Sequence, residues 1–222
     1  MKLKSFGCSF IWGSEMPDAN LFPSKHSWPA LLADHLGMPY QCLARPGCGN
    51  LQIAEQILNH VATEPAFFVI NWTYIDRFDY TNPNNDKWNT IRPGLQESPA
   101  EHYYRDLHSQ YRDKLTTLMH IKLCVDAMLD AGHEFRMTYM DDLILETHWH
   151  VSPAVLNLQE YIQPHLQQFD QRNMLEYSRD RGHTFGPQAH PLESAHKDLF
   201  QYALANFCCT QNKDDLIQQV LF

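Results

Sequence analysis

A serine hydroxyl lies in a short glycine-bounded segment near the start of the chain, FGCSFIWG at residues 6–13. A serine becomes a nucleophile only when a base removes its proton and hydrogen-bond donors stabilise the oxyanion that forms. Gly7 and Gly13 would let the backbone bend and a substrate approach Ser9 closely. Ser9 is therefore a candidate nucleophile, although such a triplet, taken alone, is more often explained by a helix-capping serine.

Three later segments carry the polar groups that this chemistry needs. Gly47 lies in a glycine-rich turn before a predicted helix, where its backbone N–H can face an anionic oxygen. Asn71 ends the most strand-like run of the chain and can donate its side-chain amide, and His190 precedes a proline on a segment that can deliver a general base. Each residue also has an ordinary structural explanation. Gly47 can belong to a capped turn before a helix, Asn71 can be a polar residue that ends a strand, and His190 is one of 13 histidines.

A histidine-rich segment offers a different chemistry. His148 and His150 in ETHWH would share one face of a strand and could ligate zinc or nickel. Further histidines follow at positions 165, 183 and 196. The chain has no H-E-x-x-H motif, and Asp141-Asp142 is the only acid pair near these histidines in sequence. Polar surface histidines are the favoured interpretation, and we expect no metal or cofactor.

Hydrophobic patterning places Ser9 and Asn71 at the ends of predicted strands, and Gly47 and His190 before predicted helices. Strands are predicted at 2–6, 66–74 and 135–142, and helices at 27–37, 49–61, 108–133 and 194–207. This alternation is typical of a single three-layer α/β/α domain with a mostly parallel, flavodoxin-like sheet, in which ligands bind at the carboxyl ends of the strands. Residues 78–106 are rich in Asn, Pro, Asp and aromatics and predict a long, partly ordered loop or insertion that selects the substrate. An apolar tail is predicted at 215–222.

Composition narrows the classes of partner. The 222 residues carry a net charge of −9 and no Lys/Arg cluster longer than two, which argues against nucleic acid. The six cysteines follow no disulfide or zinc spacing and predict free thiols in a reducing compartment. No signal peptide or 18-residue apolar run is evident. We expect a soluble cytoplasmic protein that acts on a small molecule, with the oligomeric state open.

The four candidate segments resemble, in chain order, the sequence blocks of the SGNH (GDSL-like) hydrolases. Gly7-Cys8-Ser9 matches the G-D-S block with cysteine in place of aspartate, and Gly47, Asn71 and His190-Pro191 match the later blocks. The resemblance implies that Ser9 is the nucleophile and His190 the base, with an oxyanion hole formed by Gly47, Asn71 and the Ser9 N–H. It also implies hydrolysis of a small acyl ester, carried by a carbohydrate or a related metabolite, through an acyl-enzyme on Ser9.

The sequence departs from the family where the acid of the triad is expected. Pro187 stands three residues before His190, at the usual aspartate position. A backbone carbonyl could orient His190, or an acid could come from elsewhere, such as Asp142, Asp180 or Glu193. A third alternative is a site that binds without catalysing. An acyltransferase using the same residues, a non-catalytic binding protein on the same fold and a histidine-rich metalloprotein also stay open.

Overall fold

A five-stranded parallel sheet lies at the centre of the protein, as seen in a computed structural model that describes residues 1–95 and 98–208. Its strands are β1 (Leu3–Phe6), β2 (Tyr40–Cys42), β3 (Phe67–Trp72), β6 (Glu134–Tyr139) and β7 (Leu166–Gln167). Their order across the sheet is β2-β1-β3-β6-β7, and every neighbouring pair is parallel. The carboxyl ends of all five strands therefore share one edge.

Helices cover both faces of the sheet. They are α1 (Ser9–Trp12), α2 (Trp28–His35), α3 (Asn50–Val61), α4 (Ser98–His102), α5 (Gln110–Asp130), α6 (Pro153–Ile162), α7 (Met174–Asp180) and α8 (Glu193–Asn206). α5 packs against α3 and α6, whereas α8 packs against α2 and α7. The three-layer α/β/α prediction is confirmed.

The long predicted elements agree with the structure, with ends shifted by one to three residues. β3 is buried at all six positions, as its continuous apolar run predicts for a strand covered on both faces. The edge strands β2 and β7 were not predicted, because three and two residues are too few to show a period. Gly49 is the N-cap of α3. The predicted tail at 215–222 lies outside the described residues.

Residues 78–106, predicted as a long, partly ordered loop or insertion, are an insertion with secondary structure over much of its length. An antiparallel hairpin forms from β4 (Phe78–Thr81) and β5 (Trp88–Ile91), and α4 continues into a π-helical turn at Tyr103–Leu107. Asp79 fixes the hairpin to α3: its buried carboxylate accepts from Gly49 N–H at 2.9 Å, Gln52 N–H at 3.0 Å and the Thr90 hydroxyl at 2.6 Å. Contacts distant in sequence, rather than a local turn signal, order this insertion.

Candidate active site

Ser9 lies where β1 passes into α1. A Cβ on Gly7 would lie 2.7 Å from Ile11 Cγ1 and 3.0 Å from the Asn71 carbonyl oxygen, and Gly7 has φ +151°, so this bend requires glycine. Cys8 is the N-cap of α1, and the Ser9 N–H at the helix start has no intrahelical acceptor. Ser9 is 7% exposed, and in the described part of the chain its hydroxyl makes no hydrogen bond.

His190 is held by a carboxylate that lies beyond this same turn. Its Nδ1 is 2.7 Å from Oε2 of Glu15. An ionised carboxylate only accepts hydrogen bonds, so Nδ1 carries the proton and Nε2 of neutral His190 is the free basic nitrogen. The imidazole also packs on Phe10, with ring centroids 5.2 Å apart, which brings His190 to the residue directly after Ser9.

The His190 loop encloses the Glu15 carboxylate with further donors. Gln188 N–H donates to Oε1 at 2.9 Å and His190 N–H to Oε2 at 3.2 Å. A Cβ on Gly186 would lie 2.5 Å from Cδ of Glu15, so only glycine leaves room for this carboxylate. Burial alone would raise the pKa of Glu15, but the hydrogen bonds from Gln188 and His190 outweigh it and hold that pKa below its ordinary value. Glu15 is therefore the ionised partner of His190.

The acids that the sequence suggested for this role lie elsewhere. Asp180 pairs with Arg172 at 3.1 Å, and Glu193 pairs with Lys197 at 2.8 Å. Asp142 begins the 3-10 turn Asp142–Ile144 after β6. Sequence reasoning missed Glu15 because it considered only acids in the second half of the chain. The signal that could have found it is its position six residues after Ser9, on the turn that presents the nucleophile.

The Gly47 turn lies against the Ser9 turn. Arg45 N–H donates to the Gly7 carbonyl at 2.9 Å, and the Cys48 thiol contacts that oxygen at 3.4 Å. Gly47, between them, is half-buried with φ +82°. Asn50 at the start of α3 ties this turn to the end of β3, because its amide accepts from Thr73 N–H at 2.8 Å and donates to the Thr73 carbonyl at 3.1 Å.

Asn71 lies one residue before the end of β3 and is fully buried. Its Nδ2 donates to Thr138 Oγ1 on the neighbouring strand at 2.8 Å, and its Oδ1 is buried without a hydrogen-bond partner. One hydrogen of the amide is thus used inside the sheet. Asn71 lies on β3 and Gly47 in the turn that follows β2, and these are the two strands that neighbour β1.

His196 is a structural residue rather than a free ligand. Its Nδ1 accepts from Trp28 N–H, the first residue of α2, at 3.2 Å, and its ring is 1% exposed. Burial lowers the pKa of His196 to about 3, so it stays neutral. His183 contacts Asp198, and His148 and His150 are exposed. Within residues 1–95 and 98–208, no three His, Cys, Asp or Glu side chains form a group that could hold a metal ion.

Solved structures with the same architecture are GDSL-type proteins and esterases. A lipolytic protein of the G-D-S-L family from Veillonella parvula has a TM-score of 0.53 at 12% identity, covering 94% of this chain and 99% of that one. The fold is that of the SGNH hydrolases. The psychrotrophic esterase EstA from Pseudoalteromonas sp. is similar over 93% of this chain and 96% of its own, with a TM-score of 0.51 and 9% identity.

A third SGNH-fold neighbour is a carbohydrate esterase whose active site is described as having divergent catalytic and non-catalytic binding functions. It has a TM-score of 0.52 and 13% identity, covering 95% of this chain and 69% of that chain. Neither the family models nor the curated proteins match the sequence, so the structure alone carries the likeness. No helix among the described residues is long and apolar enough to cross a membrane.

Proposed function

We propose that this protein is a serine esterase of the SGNH type that hydrolyses a small acyl ester through an acyl-enzyme on Ser9. The observation that carries the proposal is the 2.7 Å contact between Glu15 and Nδ1 of His190, beside the turn that presents Ser9. It supplies the orienting acid that the sequence lacks at position 187. A carboxylate on Nδ1 fixes the tautomer whose Nε2 can take a proton, which is the requirement for a serine triad.

In this mechanism Nε2 of His190 takes the hydroxyl proton as Ser9 Oγ attacks the ester carbonyl. The imidazolium that results is stabilised by Glu15, which stays ionised. His190 then protonates the departing alcohol, leaving the acyl group on Ser9. A water molecule, deprotonated by the same nitrogen, releases the acid and restores the hydroxyl. The apo structure lacks the hydrogen bond between Ser9 and His190, and we expect it to form when substrate closes the site.

The oxyanion of the tetrahedral intermediate would be held by the backbone N–H groups of Ser9 and Gly47 and by the second amide hydrogen of Asn71. The Ser9 N–H is supported by its position at the start of α1, and Gly47 by the contacts that hold its turn against Gly7. Loss of one such donor typically lowers kcat by about 10²- to 10³-fold. The carbohydrate esterase among the structural neighbours favours an acylated carbohydrate as substrate.

Labelling with a fluorophosphonate probe, read by intact mass and peptide mapping, tests the proposal. We expect one adduct on Ser9, lost in Ser9→Ala and strongly reduced in His190→Ala. Ser14→Ala is the matched control, because it removes a hydroxyl from the same turn and should leave labelling unchanged. Absence of an adduct on folded wild-type protein would favour a binding protein on this fold, and transfer of the acyl group to an added alcohol would identify an acyltransferase.

A further inference from the structure

A groove of about 730 Å³ lies between the Gly47 turn and the hairpin of β4 and β5. One wall is the turn itself, which is closed by the Cys48 N–H donating to the Arg45 carbonyl at 3.3 Å. The other wall is the tip and second strand of the hairpin. The Arg45 N–H and the Cys48 thiol both contact the Gly7 carbonyl, so the groove begins beside the Ser9 turn.

Three cationic side chains line this groove, those of Arg45, Lys87 and Arg92. All three residues are exposed, and none of the three side chains makes a hydrogen bond or ion pair with another described residue. The one carboxylate in the described lining belongs to Asp86, at the exposed hairpin tip. The chain carries a net charge of −9, so the groove is opposite in sign to the protein as a whole. A cleft lined with one sign of charge concentrates ligands of the opposite sign.

Trp88 adds a fixed aromatic surface between these cations. It is half-buried, and its ring N–H donates to Oε2 of Glu55 at 2.8 Å, which holds the indole in place. Asp79 on the neighbouring strand is also engaged, because it accepts the Thr90 hydroxyl at 2.6 Å and the Gln52 side-chain amide at 2.8 Å. The two carboxylates are therefore committed to the protein, whereas the guanidinium groups are free. An aromatic face beside free guanidinium groups suits a sugar ring that carries an anionic group.

We propose that this groove binds an acidic sugar, through a carboxylate or sulfate group, as the alcohol part of the ester substrate. The substrate assignment rests on the proposed esterase function, whereas binding of the acidic sugar does not require catalysis. A small acyl group would leave most of a groove of this size empty, so the alcohol part is the portion that fills it. Arg45 and Arg92 supply planar donors for the anionic oxygens, and Lys87 adds charge. The hairpin then selects substrate by charge.

NMR titration of Ser9→Ala with galacturonate and with galactose sulfate, against galactose as the neutral control, tests binding separately from catalysis and distinguishes the two anions. We expect saturable shifts of the Gly47 amide and the Trp88 indole N–H with at least one acidic sugar. Arg92→Gln, added to Ser9→Ala, should weaken binding by about fivefold, the size expected for an exposed ion pair.

The matched control is Lys2→Gln, which removes an exposed positive charge before β1, at the opposite edge of the sheet. It should leave binding unchanged. An equal effect of the two variants would mean that net charge alone attracts the sugar. That result, equal binding of galactose, or shifts that leave out Gly47 and Trp88 would overturn the proposal.

Two matched esters test the substrate assignment on wild-type protein. The peracetylated methyl glycoside of glucuronic acid and its uronamide have nearly the same shape and differ by one negative charge. We expect kcat/KM for acetate release to favour the acid by about fivefold, and Arg92→Gln to bring the ratio close to one. Hydrolysis of both at equal rates would keep the esterase and overturn the acidic-sugar assignment. Binding of acidic sugars without acetate release from either ester would overturn the esterase function and the substrate role with it.

Discussion

Glu15 and Asp76 are carboxylates at the same edge of the sheet, and the fold surrounds them in opposite ways. Glu15 accepts hydrogen bonds from Gln188 N–H, His190 N–H and the His190 ring, and its pKa is lowered. Asp76 has no such donors, and burial and the charge of Asp141 raise its pKa. A carboxylate that is fully paired holds another group in position.

We therefore expect Glu15 and Asp76 to have different roles in the protein. In the proposed function, the His190 loop and the Ser9 turn act together, and the Glu15 carboxylate is paired with His190 inside the protein. Beyond β3, by contrast, the partly buried Asp76 carboxylate accepts no hydrogen bond from another described residue, which costs stability. Substitutions on the two sides should therefore differ in sign as well as in size.

The largest effect is expected for Glu15→Gln, which keeps the shape and removes the charge that fixes His190. The variant amide can donate to Nδ1 and so favour the wrong tautomer. We expect kcat/KM on an ester substrate to fall by about 10³-fold or more, mainly through kcat. Glu193→Gln, which alters an exposed ion pair with Lys197, is the control and should retain activity. Wild-type kcat in Glu15→Gln would contradict the triad.

The next effect concerns the attachment of the insertion. Asp79→Asn removes a buried acceptor from the Gly49 and Gln52 N–H groups at the start of α3, and we expect a loss of about 3 kcal/mol in the free energy of unfolding. Asp86→Asn, at the exposed hairpin tip, should change it by less than about 0.5 kcal/mol. Urea titrations of the three proteins give the measurement. Equal stability of both variants would mean that the hairpin is not fixed through Asp79.

His196 should make the protein acid-sensitive. Its pKa in the folded state, about 3, lies below the ordinary value of 6.5, so the unfolded chain binds the proton more tightly. Its contribution to stability is present above pH 6.5 and is lost as the pH falls, by about 2 kcal/mol between pH 7 and pH 5. His196→Gln should be less stable at pH 7 but flatter with pH in urea titrations. An unchanged slope would show that other groups cause the acid sensitivity.

The smallest effect tests whether Glu15 and Asp76 contribute to the free energy of unfolding with opposite signs. Because the pKa of Asp76 is raised in the folded state, its ionisation opposes folding, and that penalty grows as the pH rises through the raised pKa. Asp76→Asn should leave stability at pH 7 unchanged or increase it by less than about 1 kcal/mol. Glu15→Gln should instead destabilise, with a deficit that shrinks as the pH falls through the lowered pKa of Glu15. Thermal unfolding of both variants from pH 4 to pH 8 tests these expectations. If both substitutions destabilise the protein, the proposed difference between Glu15 and Asp76 is wrong.

The fold was predictable where elements are long and repetitive. The apolar positions of α3 and the buried run of β3 each occur in one continuous segment, so composition and period identify them. The hairpin at 78–91 was not predictable, because its order depends on Asp79 meeting Gly49 and Gln52, which lie 27 to 30 residues away in sequence. No local pattern shows such a contact.

The site follows the same rule. Ser9 and His190 were identified because each lies in a short motif, and the structure brings their segments together through Phe10. Glu15 was missed because its partner His190 lies 175 residues away in sequence, and only its spacing from Ser9 could have pointed to it. Their roles in catalysis stay predictions until the labelling experiment is done.

The close approach of Gly186 to Glu15 limits which residues the two positions can carry together. Because a methyl group there would collide with the Glu15 carboxylate, the two positions are not free to change independently. A chain with its acid at position 15 is expected to keep glycine at 186, because a larger residue would displace the carboxylate, whereas an acid at position 187 would not require it. We therefore expect the two positions to vary together among descendants of a common ancestor. A search requiring glutamate six residues after the serine, with glycine four residues before the histidine, should recover relatives that a D-x-x-H search passes over.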